Sequence, residues 1–250
     1  MTLATILHLL LVAFLVVVFP IWDRREARRL KTSHDPEVRL RSYQMTIAWQ
    51  IAASALLLAT LPARALFTAP ATPRELGIDV GPAQVIPVLA ALLVGAALPV
   101  LLARRKNGAA PEIPSQLGAI DFFLPRGRRE RVWFAAMCVT VGVCEEIIFR
   151  GFLVRFLAAG PPVALGIAGG VAVAALIFGI DHGYQGITGI LATGVLALVF
   201  TALFFITGSL WVPMIVHALL DLRVLLLVPP GWNSPRAGLP PEPAGAGDQG

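Results

Sequence analysis

The chain has 250 residues, of which 57% are hydrophobic and only 14% are charged, and its mean hydropathy is +0.77. A soluble domain carries about a quarter charged residues, so the composition excludes an ordinary soluble domain and indicates a membrane protein. The net charge of +5 lies in short basic blocks beside apolar runs. This arrangement orients membrane proteins and contacts anionic lipid, so we expect membrane lipid as a partner and no nucleic acid.

Apolar runs of about 20 residues predict an all-α fold, a polytopic bundle of transmembrane helices. In lipid, backbone polar groups must be satisfied within the segment, which favours helices over irregular structure. We predict about seven spans, with eight as the alternative, because the Gly- and Ala-rich region 158–208 can be divided in more than one way. The seven predicted spans are 2–21, 43–62, 84–103, 131–157, 161–180, 186–207 and 209–228.

The order of the spans predicts three regions. Residues 1–110 form an N-terminal membrane region with three spans, and residues 111–228 form a membrane core that contains the polar motifs. Residues 229–250 are rich in Pro, Gly and Ala and are predicted to be disordered.

The distribution of Lys and Arg predicts the orientation of a multi-pass protein of the plasma membrane. The loops 23–42 and 104–131 hold seven basic residues each, whereas the loop 63–83 holds two. By the positive-inside rule the two basic loops are cytoplasmic, and the amino terminus is then outside. Glu145 lies 14 residues beyond Arg131, roughly 21 Å along a helix, which predicts a position in the outer half of the membrane.

Two adjacent carboxylates and an arginine lie inside the fourth predicted span. Each such charge at a helix centre costs roughly 2.5 to 3.5 kcal/mol, so a buried polar site is indicated. Glu146 and Arg150 are four residues apart and share a helix face, where they can form an ion pair. Glu145 points about 100° away and has no partner on its own helix, which suits a general base.

Two histidines and an aspartate lie on two further spans. His182 is at the end of the fifth predicted span, and His217 and Asp221 share a face of the seventh. A carboxylate beside an imidazole fixes its tautomer, as in catalytic and metal-binding histidines. Together with the glutamates these groups can activate water, with or without a divalent metal. Cys144 is the one nucleophile beside the carboxylates, and apolar packing is the favoured interpretation of it.

Three short motifs on separate predicted spans resemble those of one protein family. The motifs are Glu145-Glu146-x-x-x-Arg150, Phe178-x-x-x-His182 and His217-x-x-x-Asp221. Their order and spacing resemble the CPBP group, which comprises CAAX prenyl proteases and bacteriocin-processing or self-immunity proteins, also called Abi proteins. The resemblance covers roughly residues 120–225, and the stretch 124–130, which begins Leu-Pro and ends Arg-Glu, resembles the usual lead-in.

The resemblance implies an intramembrane endopeptidase that hydrolyses a peptide bond of a membrane-associated protein or peptide, such as a prenylated CAAX-like one. It implies that Glu145 is the base and that Glu146 and Arg150 order the site. His182 and His217 are then expected to bind the water, to stabilise the oxyanion or to ligate a metal. The eukaryotic prenyl proteases of this family are expected to open to the cytosol, which conflicts with the outer position predicted above.

Asp221 stands where many members of the family have asparagine. Either residue can accept a hydrogen bond from His217, but an aspartate adds a charge that can favour metal binding. A divalent metal such as zinc at His182 and His217 is therefore one version of the predicted site, and water activated by glutamate alone is the other. No organic cofactor is expected.

Two other classes of function remain open on the sequence. One is a non-catalytic bacteriocin-immunity or scaffold protein that keeps the fold and binds a partner. The other is a proton-coupled transporter that uses the buried glutamates and histidines as a relay. The polar residues cluster in one half of the chain without a pseudo-symmetric partner half, which disfavours transport.

Overall fold

The computed structural model describes residues 2–33, 35–76, 115–160 and 162–228, with a few single positions between 83 and 95. All regular structure in these residues is helical, as predicted, apart from an isolated bridge between Thr68 and Ser209. The predicted span 84–103 lies almost entirely outside the described residues. The predicted tail 229–250 lies wholly outside them.

The described residues form six helices of more than ten residues. They are α1 (Leu3–Thr32), α2 (Pro36–Thr60), α3 (Arg128–Ala159), α4 (Gly166–Asp181), α5 (Gly186–Thr207) and α6 (Trp211–Leu222). Shorter helices and 3-10 turns lie at Ala63–Phe67, Arg74–Leu76, Ser115–Gly118, Asp121–Phe123, Gly183–Gln185 and Val224–Leu227.

Three of these helices are long and apolar enough to cross a membrane, namely α1, α3, and α5 together with the turn before it. Helix α4 is apolar but shorter. Large apolar side chains on one face of α5 are exposed, with Leu191 at 63% and Val195 at 61%, as expected for a helix that contacts lipid. The count of seven or eight spans stays a prediction.

Helix α1 is longer than the span predicted at its position. It continues to Thr32 through the basic segment that was predicted to be a loop. Arg29 and Lys31 lie in its last turn, where positive charge interacts favourably with the negative end of the helix dipole. Asp35 then caps α2 by accepting a hydrogen bond of 2.9 Å from the backbone N–H of Glu37, so the connection between the two helices is short.

Helix α3 is the centre of the described bundle. Helices α2 and α6 pack along its first part, and α4 packs against its last turns and against α5. Close approach of α6 requires Gly142, because a Cβ atom there would lie 2.6 Å from the backbone nitrogen of Ala218. Gly179 has the same role between α4 and α5, where a Cβ atom would lie 2.7 Å from the carbonyl oxygen of Ile190. Small residues at helix contacts therefore bring the polar side chains of four helices together.

Candidate active site

The adjacent glutamates lie where α3 changes its helical pitch. The α-helical part ends at Glu145, and Glu146–Leu153 is a π-helix before the α-helix resumes. Such π-helical stretches are rare and occur frequently at functional sites. Both carboxylates are buried, with 8% of Glu145 and 0% of Glu146 exposed.

The ion pair predicted from the i, i+4 spacing is present and fully buried. Nη1 of Arg150 lies 3.0 Å from Oε1 of Glu146. The guanidinium also lies 4.6 Å from the ring centre of Phe178 and 5.3 Å from that of Phe200. Its Nη2 donates a hydrogen bond of 3.4 Å to the carbonyl oxygen of Ala197. Arg150 thus neutralises Glu146 and joins α3 to α4 and α5 through its two aromatic contacts.

His217 takes its orientation from Glu146. Its Nδ1 lies 2.8 Å from Oε1 of Glu146, and the ring of Phe200 stacks on it at 4.9 Å. Because an ionised carboxylate only accepts, Nδ1 carries the hydrogen in this bond. Nε2 of His217 is then directed towards Glu145. The carboxylate that holds the imidazole is thus Glu146, on another helix, and not Asp221, for which this role was predicted.

Asp221 is a more distant neighbour of His217 than the i, i+4 spacing predicts. Its Oδ2 lies 3.6 Å from Nε2 of His217, beyond hydrogen-bond distance, and 37% of its side chain is exposed. Helix geometry brings the two residues to one face, but Nδ1 of His217, the nitrogen that an orienting carboxylate would bind, is already bonded to Glu146. Asp221 therefore supplies negative charge at the edge of the site.

Glu145 is held by a residue from α2. Nε2 of Gln50, which is fully buried, donates a hydrogen bond of 3.0 Å to Oε1 of Glu145. The other oxygen, Oε2, has no hydrogen-bond partner and lies 4.0 Å from Nε2 of His217. One carboxylate oxygen is thus fixed, and the other is free to react.

His182 lies at the end of α4 and completes the ring of polar groups. Its Nδ1 donates a hydrogen bond of 2.7 Å to the carbonyl oxygen of Phe178, which leaves Nε2 available. The ring of Phe178 lies 4.6 Å from the ring of His182 and 6.4 Å from that of His217. Phe178 thus has a ring contact with each histidine and also lies under the Arg150 guanidinium.

A cavity of about 230 Å³ connects most of these side chains. It is lined by Glu145, His182, His217 and Asp221, and by Gln50 from α2. Glu146 and Arg150 lie behind this surface, in contact with His217 and with the aromatic rings. The structure therefore brings all six predicted site residues together, four at the cavity and two as its support.

Each histidine has Nδ1 bonded to a protein oxygen and Nε2 left over, which is an arrangement that metal-binding histidines also adopt. Nδ1 of His217 is taken by Glu146, and Nδ1 of His182 by a backbone carbonyl. In the described parts of the chain, no group of three or more His, Cys, Asp or Glu side chains has the spacing to hold a metal ion. The metal at His182 and His217 therefore stays a prediction, and no chemical step is derived through it.

The sequence reasoning missed Gln50, Ala197 and Phe200. Gln50 is a polar residue inside an apolar run, which was the one available signal, since a buried polar group needs a partner. Ala197 contributes only a carbonyl oxygen and Phe200 only a ring face, so neither has a signal in the sequence. Cys144 is buried and does not line the described cavity.

Comparison with known proteins agrees with the geometry. The model of a family described as "Type II CAAX prenyl endopeptidase Rce1-like" matches residues 128–223. Over these 96 of its 250 residues the chain is similar to this family. The Rce1-like segment runs from α3 to α6 and contains all six predicted site residues. No match was found among curated proteins or among solved structures.

The match to the Rce1-like family model supports the general character predicted for the protein. The family is one of CAAX-type endopeptidases, and the long apolar helices indicate a membrane protein. Gln50 and the residues of α1 that line the cavity lie outside the Rce1-like segment. The cavity is therefore built from both the matched and the unmatched parts of the chain.

Proposed function

We propose that the protein is a multi-pass endopeptidase of the plasma membrane that hydrolyses a peptide bond of a membrane-associated protein or peptide. One observation carries this proposal. The free oxygen of Glu145 and Nε2 of His217 face each other across 4.0 Å at the wall of a buried cavity. The family match supports the same chemistry, because its description is that of an endopeptidase.

The gap between Glu145 and His217 suits one water molecule. A direct hydrogen bond would need about 2.7 to 3.2 Å, whereas a water can lie about 2.8 Å from both groups when they are 4.0 Å apart. Gln50 holds the other oxygen of Glu145, so Oε2 is directed at this water. In the proposed reaction Oε2 takes the proton of the water as its oxygen attacks the peptide carbonyl carbon.

His217 and His182 act on the other groups of the reaction. A His217 ring that is protonated at both nitrogens donates from Nε2 to the developing oxyanion, while Glu146 holds Nδ1. His182 has Nδ1 directed at Phe178, so Nε2 of the neutral ring can accept a hydrogen bond from the attacking water. Arg150 compensates Glu146 and keeps this support rigid.

The proton balance closes within the site. Glu145 receives one proton from water and gives it to the leaving amine when the carbon–nitrogen bond breaks. The products are a carboxylic acid and an amine, and water is the one co-reactant. A metal at His182 and His217 is not part of this scheme.

The apolar walls of the cavity support an apolar substrate segment in contact with membrane lipid. Phe19, Trp49, Phe134 and Met137 line it together with the polar groups. A prenylated, CAAX-like chain is one substrate of this kind, since apolar surfaces are favourably removed from water by such walls. No nucleic acid is involved.

The proposal is tested by comparing membranes of cells that contain either the wild-type protein or Glu145→Gln. We expect mass spectrometry of membrane proteins to find cleaved termini that require wild-type Glu145. Glu37→Gln is the matched control, because it makes the same charge change at an exposed position away from the cavity. Identical termini with Glu145→Gln, in protein with an unchanged melting temperature in detergent, would refute the base and favour the scaffold alternative.

A further inference from the structure

The cavity beside Glu145 is lined by more acidic groups than basic ones. Five carboxylic residues line it, whereas no Lys or Arg is among its described lining residues. His182 and His217 are the described lining residues that can carry a positive charge. The five carboxylic residues are Asp23, Glu26, Glu145, Asp181 and Asp221.

Asp181 is the acidic residue of this cavity that the proposed reaction does not use. It is 3% exposed, and neither of its side-chain oxygens has a hydrogen-bond partner. Asp23 and Glu145, the charged groups in electrostatic contact with it, have the same sign. An unpartnered carboxyl group in this setting is costly to bury, so a group that donates hydrogen bonds to it would lower the free energy of the site.

Further acceptor atoms at this cavity also lack a donor. They are Oε1 of Glu26, Oε1 of Gln50 and Oε2 of Glu145. Among the buried side-chain atoms without a partner on the described lining, the indole N–H of Trp49 is the one donor. The excess of acceptors excludes an anionic ligand and suits a ligand with several N–H groups and a positive charge.

The apolar side of the cavity suits the stem of a long basic side chain. The rings of Phe19 and Trp49 lie 4.7 Å apart, and those of Phe19 and Trp22 lie 5.8 Å apart, all on the cavity lining. Aromatic faces attract a cation, and the methylene groups of lysine or arginine pack well on apolar surface. Aromatic rings beside unpartnered carboxylates therefore favour a lysine or arginine side chain.

The arginines nearest to this wall leave Asp181 without a partner, although Arg24 is in electrostatic contact with Asp23. Arg29 lies 3.6 Å from the other oxygen of Glu26, and its side chain is 51% exposed. The Arg24 guanidinium lies beside Gly183, where a Cβ atom would be 3.3 Å from Nη2. Neither arginine lines the cavity or bonds to Asp181.

We infer that Asp23, Glu26 and Asp181, here called the acidic wall, bind a lysine or arginine side chain of the substrate beside the bond that is hydrolysed. The inference rests on the proposed endopeptidase function and names its substrate class, a membrane-associated segment with a basic residue near the cleavage position. Asp181 directly precedes His182 in the chain. A basic side chain at the acidic wall would therefore anchor the substrate next to the reacting groups.

The test uses fluorogenic peptides composed of Leu, Val and Ala. One position holds lysine, norleucine or glutamate, and this variable position is moved along the peptide from one set to the next. With the full-length protein in nanodiscs, we expect kcat/KM to be about tenfold or more higher for lysine than for norleucine at one or two positions, the size of one charge-assisted hydrogen bond. Glutamate should be the poorest. Asp181→Asn should bring the ratio of lysine to norleucine close to one.

The control is Glu37→Gln, which removes one negative charge outside the cavity and should leave the ratio unchanged. Binding of the same peptides to the wild-type protein, measured by fluorescence anisotropy, does not depend on cleavage. Equal binding and equal kcat/KM for lysine and norleucine at every position would overturn the inference, even if Asp181→Asn does not fold. Preferential binding of the lysine peptides without any cleavage would support the acidic wall and count against the endopeptidase.

Discussion

At the scale of single residues, Glu146 decides how the site is built. Its Oε1 lies 3.0 Å from Arg150 and 2.8 Å from Nδ1 of His217, and it is fully buried. A buried carboxylate between two cationic groups is stable only when both contacts are made. We therefore interpret Glu146 as a positioning residue, while its neighbour Glu145 keeps one oxygen without a hydrogen-bond partner for the proposed reaction.

Gln50 should be a positioning residue for Glu145. Replacement by leucine removes the 3.0 Å hydrogen bond to Oε1 and leaves that oxygen without a donor. A hydrogen bond to a charged group contributes about 1.5 to 3 kcal/mol, so we expect kcat/KM of peptide cleavage to fall by at least about tenfold. Because the Glu145 carboxylate then loses the hydrogen bond that Gln50 donates to it, the pH dependence of kcat/KM should shift as well.

The matched control for Gln50→Leu is Gln44→Leu, the same change on the same helix at a residue that does not line the cavity. It should leave both kcat/KM and the pH profile unchanged. A Gln50→Leu protein with wild-type kinetics and pH profile would show that the contact to Glu145 does not orient it during the reaction.

Removal of divalent metal should leave cleavage intact. Among the described residues, no group of three or more His, Cys, Asp or Glu side chains could hold a metal ion. We expect unchanged kcat/KM in excess chelator and less than stoichiometric zinc by elemental analysis of the purified protein. Activity that disappears with chelator and returns with zinc would instead assign His182 and His217 as metal ligands.

At the scale of helices, spacing along the chain predicts some contacts and not others. Glu146 and Arg150 share a face of one helix, so their ion pair was predictable and is found at 3.0 Å. His217 and Asp221 also share a face, yet a carboxylate from α3 takes Nδ1 of His217. The spacing of residues within α6 cannot predict that Glu146 rather than Asp221 bonds to His217, because this depends on how closely α6 approaches α3.

The partners of isolated polar residues were unpredictable for the same reason. Gln50 is 95 residues from Glu145 in the chain, and no repeat or motif links the two positions. The extension of α1 to Thr32 was missed because a polar segment beside an apolar run is equally compatible with a loop or with a helix that continues beyond the membrane. The basic residues in the last turn of α1 interact favourably with the helix dipole, and the connection to α2 is short; both features favour a helix that continues to Thr32.

Gly142 should be essential for bringing His217 to Glu145. Leucine at this position would place its Cβ atom 2.6 Å from the backbone of Ala218, so α6 must move away. A displacement of about 1 Å can cost 100-fold in rate, so we expect a comparable loss of kcat/KM. Gly118→Leu is the control, because a Cβ atom there meets nothing within 4 Å. Full activity of Gly142→Leu would mean that the helices can separate without disturbing the site.

At the scale of the whole molecule, the cavity connects the site to the basic end of the bundle. Its lining runs from Gln50 and Glu145 to Ile120 and Phe122, just before the first turn of α3. The described parts of the two basic segments predicted to be cytoplasmic meet at this end, where Arg39 of α2 pairs with Glu130 of α3. With this end at the cytosol, as the positive-inside rule predicts, we expect substrate to enter from the cytosolic face.

The same end of the bundle contains two ion pairs between α2 and α3 that differ in burial. Arg39 and Glu130 are 2% and 3% exposed with an N···O distance of 2.7 Å. Glu130 also accepts hydrogen bonds from the backbone N–H groups of Arg126 and Gly127, so it anchors the start of α3. The Glu37–Arg129 pair has a similar distance of 2.6 Å but is 53% and 65% exposed.

Arg39→Ala should therefore destabilise the protein far more than Glu37→Ala does. Loss of Arg39 leaves a buried carboxylate without its counter-charge, which costs about 3 to 5 kcal/mol. Loss of Glu37 breaks an exposed pair, which contributes about 0 to 1 kcal/mol. Thermal unfolding in one detergent at one protein concentration measures both. A similar melting temperature for the two variants would mean that water reaches Glu130, so that its charge does not depend on Arg39.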